Sequence, residues 1–177
     1  MVRKSNIDDI AEVVRIYDQI LEQESEQRMT GWQKNIYPLP QTALNALNSK
    51  ELFVMEVADE IVAAAIINQK QVDVYSDCEW EFPAENNEIM VLHTLVVDPE
   101  KSGKGYATEF VKFYENYALD NGCQYLRMDT NEINIAARRL YQKLGYKETG
   151  TVPCEFNGIQ GVQLVCLEKR LYRGLSQ

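Results

Sequence analysis

The sequence predicts an α+β chain in which helices pack on one mixed sheet, and three observations carry that expectation. The hydrophobic period switches repeatedly between strand alternation and the i, i+3, i+4 recurrence of helices. The run IMVLHTLVV is almost wholly apolar, as in a central strand covered on both faces. A single amphipathic helix joins that run to the next strand, and such a strand–helix–strand unit is parallel with a right-handed crossover.

The elements follow in chain order. Val2 to Lys4 makes a short first strand, and Ile10, Val13, Val14, Tyr17, Ile20 and Leu21 form one helical face entered through Asp8 or Asp9. A glycine and two prolines in MTGWQKNIYPLP break that pattern before TALNALNSK makes a second, shorter helix. Leu52 to Val57 and Ile61 to Asn68 are two strands joined tightly through Ala58, Asp59 and Glu60, hence antiparallel. QVDVYSDCEWEFPAENN, acidic and interrupted by proline, reads as a loop at the sheet edge. After the apolar strand, Ala107, Phe110, Val111, Tyr114, Tyr117 and Ala118 recur at helical spacing and Asn121-Gly122 supplies the stop. YLRMD is a strand and NEINIAARRLYQKLG a helix. YKETGTVP and GVQLVCLEKR are two further strands around a Phe156-Asn157-Gly158 turn.

Composition narrows the function. The chain has 177 residues, enough for one sizeable core, and nothing marks a second domain, so residues 1–177 are expected to form one. A net charge of -9 argues against nucleic acid and anionic membranes and for a cationic partner. MVRKSNIDD lacks the apolar core of a signal peptide, and no apolar run approaches the roughly 18 residues that cross a bilayer, so a cytoplasmic location is expected. Cys78, Cys123, Cys154 and Cys166 lie far apart, with no CxxC pair and one histidine in the chain, so no metal site is expected and the cysteines read as reduced and mostly structural.

The stretch VVDPEKSGKGYATEF leaves the C-terminal end of the buried strand and enters a helix N-terminus, which is where ligands collect in α/β sheets. Gly103 and Gly105 permit positive φ and close approach of a ligand, and the unpaired amides of the loop and first turn suit an anion, most naturally a phosphate. Lys101 and Lys104 add positive charge. Neither GxxxxGK[ST] nor GxGxxG is present, which excludes the usual nucleotide loops.

The pattern [QR]xxGx[GA] falls on Ser102, Gly103, Lys104, Gly105, Tyr106 and Ala107, and NxxAxxLYxxxG[FY] on Asn134, Ala137, Leu140, Tyr141, Gly145 and Tyr146. With these two spaced motifs the chain resembles the GNAT superfamily of acyl-CoA-dependent N-acyltransferases. Ser102 stands where the pattern has Arg or Gln, which implies weaker phosphate binding, since backbone amides carry most of such a site. The resemblance implies a mostly antiparallel twisted sheet with one splayed parallel strand pair, about four flanking helices, and acetyl-CoA as donor. Its pantetheine would lie in the splay against Leu95, Val96 and Val97, its diphosphate on residues 102 to 108, Thr108 included, and Asn134, Ala137 and Tyr141 would face the same gap.

The chemistry requires a neutral amine and a proton for the departing thiolate. His93 is the candidate base: it is the only histidine, its reference pKa of about 6.5 suits the task, and strict alternation would put it on the face of Leu95. LHTLVVD also resembles the corresponding strand of arylalkylamine N-acetyltransferases, which implies a role for this histidine in amine deprotonation. Glu88 is the alternative base, and Tyr141 the candidate acid. The resemblance places the acceptor against Trp32, Tyr37, Phe156 and Asn157. A small-molecule primary amine is the expected acceptor, with a protein N-terminus or lysine, or a non-catalytic acyl-CoA sensor, as alternatives, and a homodimer is possible.

Overall fold

The computed structural model describes residues 1–26 and 28–172. Seven strands form one sheet: β1 (Val2–Lys4), β2 (Leu52–Val57), β3 (Glu60–Asn68), β4 (Ile89–Val97), β5 (Tyr125–Asn131), β6 (Lys147–Phe156) and β7 (Ile159–Arg170), in the order β1-β2-β3-β4-β5-β7-β6. Only β4 and β5 are parallel neighbours. The helices are α1 (Ile10–Glu22), α2 (Pro40–Asn48), α3 (Tyr106–Asp120) and α4 (Ile135–Lys143). This is the expected mixed sheet with four helices.

Alternation divides the side chains between two layers. Phe53, Met55, Ala63, Ala65, Met90, Leu92 and Met128 pack with Phe110, Val111, Tyr114 and Ala118 of α3. On the other face, Leu52, Val54, Ala64 and Val96 pack against Val13, Ile16 and Tyr17 of α1. The Tyr114 hydroxyl donates to Met90 O at 2.7 Å and reaches Arg127 O at 3.3 Å, so one α3 side chain clamps the paired half of β4 and β5.

The first helix is entered through Asp9, as expected, without a side-chain cap bond of its own; Asp9 closes a 3-10 turn, Ile7–Asp9, capped by Asn6, whose Oδ1 accepts from Asp8 N while Asn6 N donates to Asp9. Two expectations are corrected here. The β3–β4 segment lies across the sheet face and not at its edge. Its two aromatics explain why: Tyr75 is 3% exposed against Ile89, Val91, Leu164 and Cys166, and Trp80 packs on Tyr75 and under the Arg127 guanidinium. That path brings Cys78 onto Cys166, and the two form a disulfide across 88 residues of sequence; Cys123 and Cys154 are free. The reading of all four cysteines as reduced is therefore corrected.

Candidate active site

The parallel ladder pairs Ile89–Leu92 with Tyr125–Met128 and then stops. From there β4 follows β3 and β5 follows β7, so the two central strands part. The break coincides with a bulge: between the pairs Ile66–His93 and Ala64–Val96, β4 has two residues, Thr94 and Leu95, where β3 has one, Ala65, and Thr94 takes φ +51. Bulges bend the bulged strand, and this one sits where pairing ends. The Tyr37 hydroxyl hydrogen bonds to Thr94 Oγ1 and holds the bulge from the α1–α2 loop.

The bulge also corrects the side-chain assignment. Leu95 and Val97 pack toward α3, but His93, opposite Ile66, points to the α1 face. One extra residue reverses the alternation. The His93 Nε2–H donates to Asn68 Oδ1 (2.9 Å), and burial pulls the imidazole down to about 4. Glu88 is turned away from the splay: it accepts from Glu85 N at 3.1 Å in the 3-10 turn Asn86–Glu88.

A cavity of about 660 Å³ runs through the splay. Leu95, Val96, Val97, Asn134, Ala137 and Tyr141 line it, as do His93 and the four expected acceptor residues Trp32, Tyr37, Phe156 and Asn157. Ser102 lies at its rim, whereas Gly103 to Thr108 continue outside it along the start of α3. Tyr141 is 7% exposed, stacks edge-on with Tyr146, and has its phenol pushed up by burial, so it stays protonated. The Asn134 side chain is used twice: it lines the cavity, and its Oδ1 accepts from Ala137 N (3.1 Å) to cap α4.

The loop fits a diphosphate. Gly103 and Gly105 have φ +80 and +83 with open space where a Cβ would stand, and among the described residues no acceptor takes the amide N–H groups of Gly103 to Thr108. They lie at the positive end of a 15-residue helix. Lys101 is not a free charge there, because Glu60 binds it. In compensation, the Arg28 guanidinium reaches Ser102 Oγ at 3.3 Å and brings a cation to the loop position where the sequence pattern lacks one.

The model of the Acetyltransferase (GNAT) family matches residues 14–146. The chain belongs to this family. N-acetyltransferase 8B of Homo sapiens is 37% identical over 68 residues, 38% of this chain and 30% of that protein, so the GNAT chain spans about a third of that relative's length. An N-acetyltransferase structure from Staphylococcus aureus Mu50 superposes with a TM-score of 0.73 at 20% identity, covering 97% of this chain and 98% of that one. The Salmonella typhimurium protein yncA, solved with acetyl-CoA as its cofactor, gives 0.69 at 15% identity over 100% of this chain and 96% of its own. At these identities the structures establish the shared fold.

Residue-pattern reasoning missed two members of this GNAT site. Asp129, on β5, lines the cavity with its carboxyl held by the Tyr75 hydroxyl, which donates to Oδ2 at 2.6 Å. Burial pushes that acid up to about 6. Its only sequence signal was position, five residues before Asn134 in the strand that enters the motif. Tyr75 carried no signal, since its segment read as an edge loop. Cys154 is held up by burial and by the nearby Asp129, so it remains a thiol and no covalent acyl-enzyme is indicated.

Proposed function

We propose that the protein transfers an acetyl group from acetyl-CoA to the primary amine of a small molecule, by direct attack within a ternary complex. One observation carries this reading: a continuous cavity joins the rim of the unpaired-amide loop, at Ser102, to an aromatic chamber of Trp32, Tyr37 and Phe156. The amides of residues 103 to 108, with Lys104 and Arg28, would hold the diphosphate, and Leu95 to Val97, Asn134 and Ala137 the pantetheine arm. When bound, acetyl-CoA supplies an acetyl thioester, a ready electrophile.

The chain's own residues do the rest. Among the described residues the β5-facing edge of Leu95–Val97 has no strand partner, so its backbone amides remain available to stabilise negative charge on a carbonyl oxygen. Tyr141 holds its proton beside the splay and is the group placed to protonate a thiolate. Burial holds the phenol in its protonated form, so the proton it would donate is in place. The α1–α2 loop crosses the chamber with Gly31 against Asn131, an arrangement that favours a small acceptor over a polypeptide lying in a groove.

Exposed Ile133 and Ile135 beside the cavity favour a second reading, in which the acceptor is the N-terminus of a protein. Thiol release from acetyl-CoA, measured across small amines and N-terminal peptides, separates the two, and turnover of peptides alone would reject the first. For Tyr141→Phe, kcat is expected to fall about 100-fold while coenzyme A affinity holds within about twofold. Unchanged turnover would eliminate the proton-donor role.

A further inference from the structure

We propose that Asp129, positioned by Tyr75, receives the acceptor as an ammonium ion and accepts its proton. The proposal rests on the acetyl-transfer reading and deepens it: the acceptor is a small cationic amine recognised by a carboxylate in an aromatic chamber.

The geometry comes first. Asp129 occupies the first β5 position beyond the last paired step, Leu92 with Met128, so it stands where the splay opens. It projects to the α1 face, with Tyr125 and Arg127, toward the chamber of Trp32, Tyr37 and Phe156. Tyr75 donates to Oδ2, and among the described residues no other hydrogen bond and no salt bridge reaches the carboxyl group. Arg127, two residues earlier on the same face, is turned to Gln71 and lies over the Trp80 ring. Asp129 is thus a half-buried carboxyl group in the cavity wall without a countercharge, with Oδ1 available. A partly desolvated anion lacking a partner is costly, and an alkylammonium both neutralises it and gains from the aromatic walls.

Apart from Arg127, engaged by Gln71 and Trp80, and Arg28 at the loop rim, the described groups facing it carry no positive charge. Tyr75 faces it from the 3-10 turn Asp73–Asp77, Tyr37 from the α1–α2 loop, Tyr141 from α4 and Cys154 from β6, all neutral near pH 7. His93 lines the same cavity from β4 but is uncharged there and committed through Nε2 to Asn68. An imidazole pulled to about 4 is a poor acceptor for an ammonium proton, whereas a carboxylate raised to about 6 is better matched. The role expected of His93 passes to Asp129.

The protons balance. The ammonium gives its first proton to Asp129 Oδ1 and becomes a free amine. Acetyl transfer then forms the C–N bond and breaks the C–S bond; the second nitrogen proton ends on sulfur by way of Tyr141, and Asp129 releases its own to water. Tyr75 is a positioning residue. Its turn is anchored by the Cys78–Cys166 bond, and Cys166 is the register partner of Asp129 across β5 and β7, so the disulfide fixes the turn beside the carboxylate it holds.

Calorimetry and steady-state kinetics on wild type, Asp129→Asn and Tyr75→Phe test this. Wild type, with or without coenzyme A, is expected to bind n-butylamine at least 30-fold more tightly than n-butanol. Asp129→Asn should lose that preference and lower kcat/KM about 100-fold or more, with coenzyme A affinity within twofold. The acidic limb of the wild-type kcat/KM profile should fall near pH 6 and move upward in Tyr75→Phe, whose carboxylate has lost its donor. A merely structural role for Tyr75 would not move that limb. Equal binding of amine and alcohol, or an Asp129→Asn enzyme that keeps its turnover and its limb, overturns the proposal. Failure of wild type to bind coenzyme A would instead sink the acetyl-transfer reading, and the amine and alcohol titrations of the free protein would still decide the role of Asp129.

Discussion

Thr94 at φ +51 is a β-branched residue in a backbone region that suits glycine, and such a conformation persists only where the surroundings impose it. Here the imposing groups are the Tyr37 hydroxyl and the divergence of β4 from β5. The result is a reversed face for His93, and strict alternation could not have foreseen it. The same scale explains Ser102. The pattern marks it as a missing phosphate-facing side chain, yet Arg28, 74 positions away, reaches its hydroxyl. Arg28→Ala is therefore expected to weaken coenzyme A binding about 3- to 10-fold, with most of the difference lost at 1 M salt, where exposed charges are screened. Titration calorimetry at two ionic strengths checks this, and an unchanged affinity at low salt would show that Arg28 contributes no charge to the site.

At the level of elements, periodicity located most of what positions the site. The limits of α2, β2, β4 and the β6–β7 hairpin lie within three residues of the expected ones, because each is amphipathic or bounded by its own turn residues. In that hairpin Asn157 and Gly158 take φ +52 and +79, as a two-residue primed turn requires. The segment between β3 and β4 resisted the same logic, since its ordering comes from burying Tyr75 and Trp80 on a distant strand pair and not from any local period. The α1–α2 loop is similar. It packs so closely that a Cβ on Gly31, at φ +82, would stand 2.2 Å from the Asn131 amide nitrogen. Gly31→Ala is expected to cost about 1–3 kcal/mol of stability and to raise the KM for the acceptor more than that for acetyl-CoA. Denaturant melts with two-substrate kinetics read both effects, and equal changes in the two constants would place the loop outside the acceptor chamber.

For the molecule as a whole, two half-buried groups of the cavity wall pull stability in opposite directions with pH. Asp129 is raised from 3.8 to about 6, so the folded state holds its proton more tightly, and stability falls as pH rises through that window. His93 is lowered from 6.5 to about 4, so the unfolded chain binds its proton more tightly, and stability rises as pH climbs from 4 to 6.5. The two slopes offset each other between about pH 4 and 6. Asp129→Asn removes one of them. The variant is expected to be more stable than wild type by on the order of 2 kcal/mol at pH 7, and to show a stability that climbs with pH between 4 and 6.5. Urea melts across that range provide the check; a variant less stable than wild type at pH 7 would mean that the ionised carboxylate carries no burial penalty. Stability given up at a reacting group is the usual signature of a functional site.

From the sequence alone came the mixed sheet, the parallel unit around α3, the glycine loop and the Asn134–Tyr141 helix face, because each is written in local spacing and in residue types that satisfy their own backbone. Only the tertiary structure decided which face His93 occupies, that Cys78 meets Cys166, that Lys101 is spent on Glu60 and that Asp129 stands over the splay with Tyr75 as its partner. Those outcomes depend on one inserted residue in a strand and on contacts between segments far apart in the chain. Neither leaves a period to read, since long-range burial and register are set by the whole core at once.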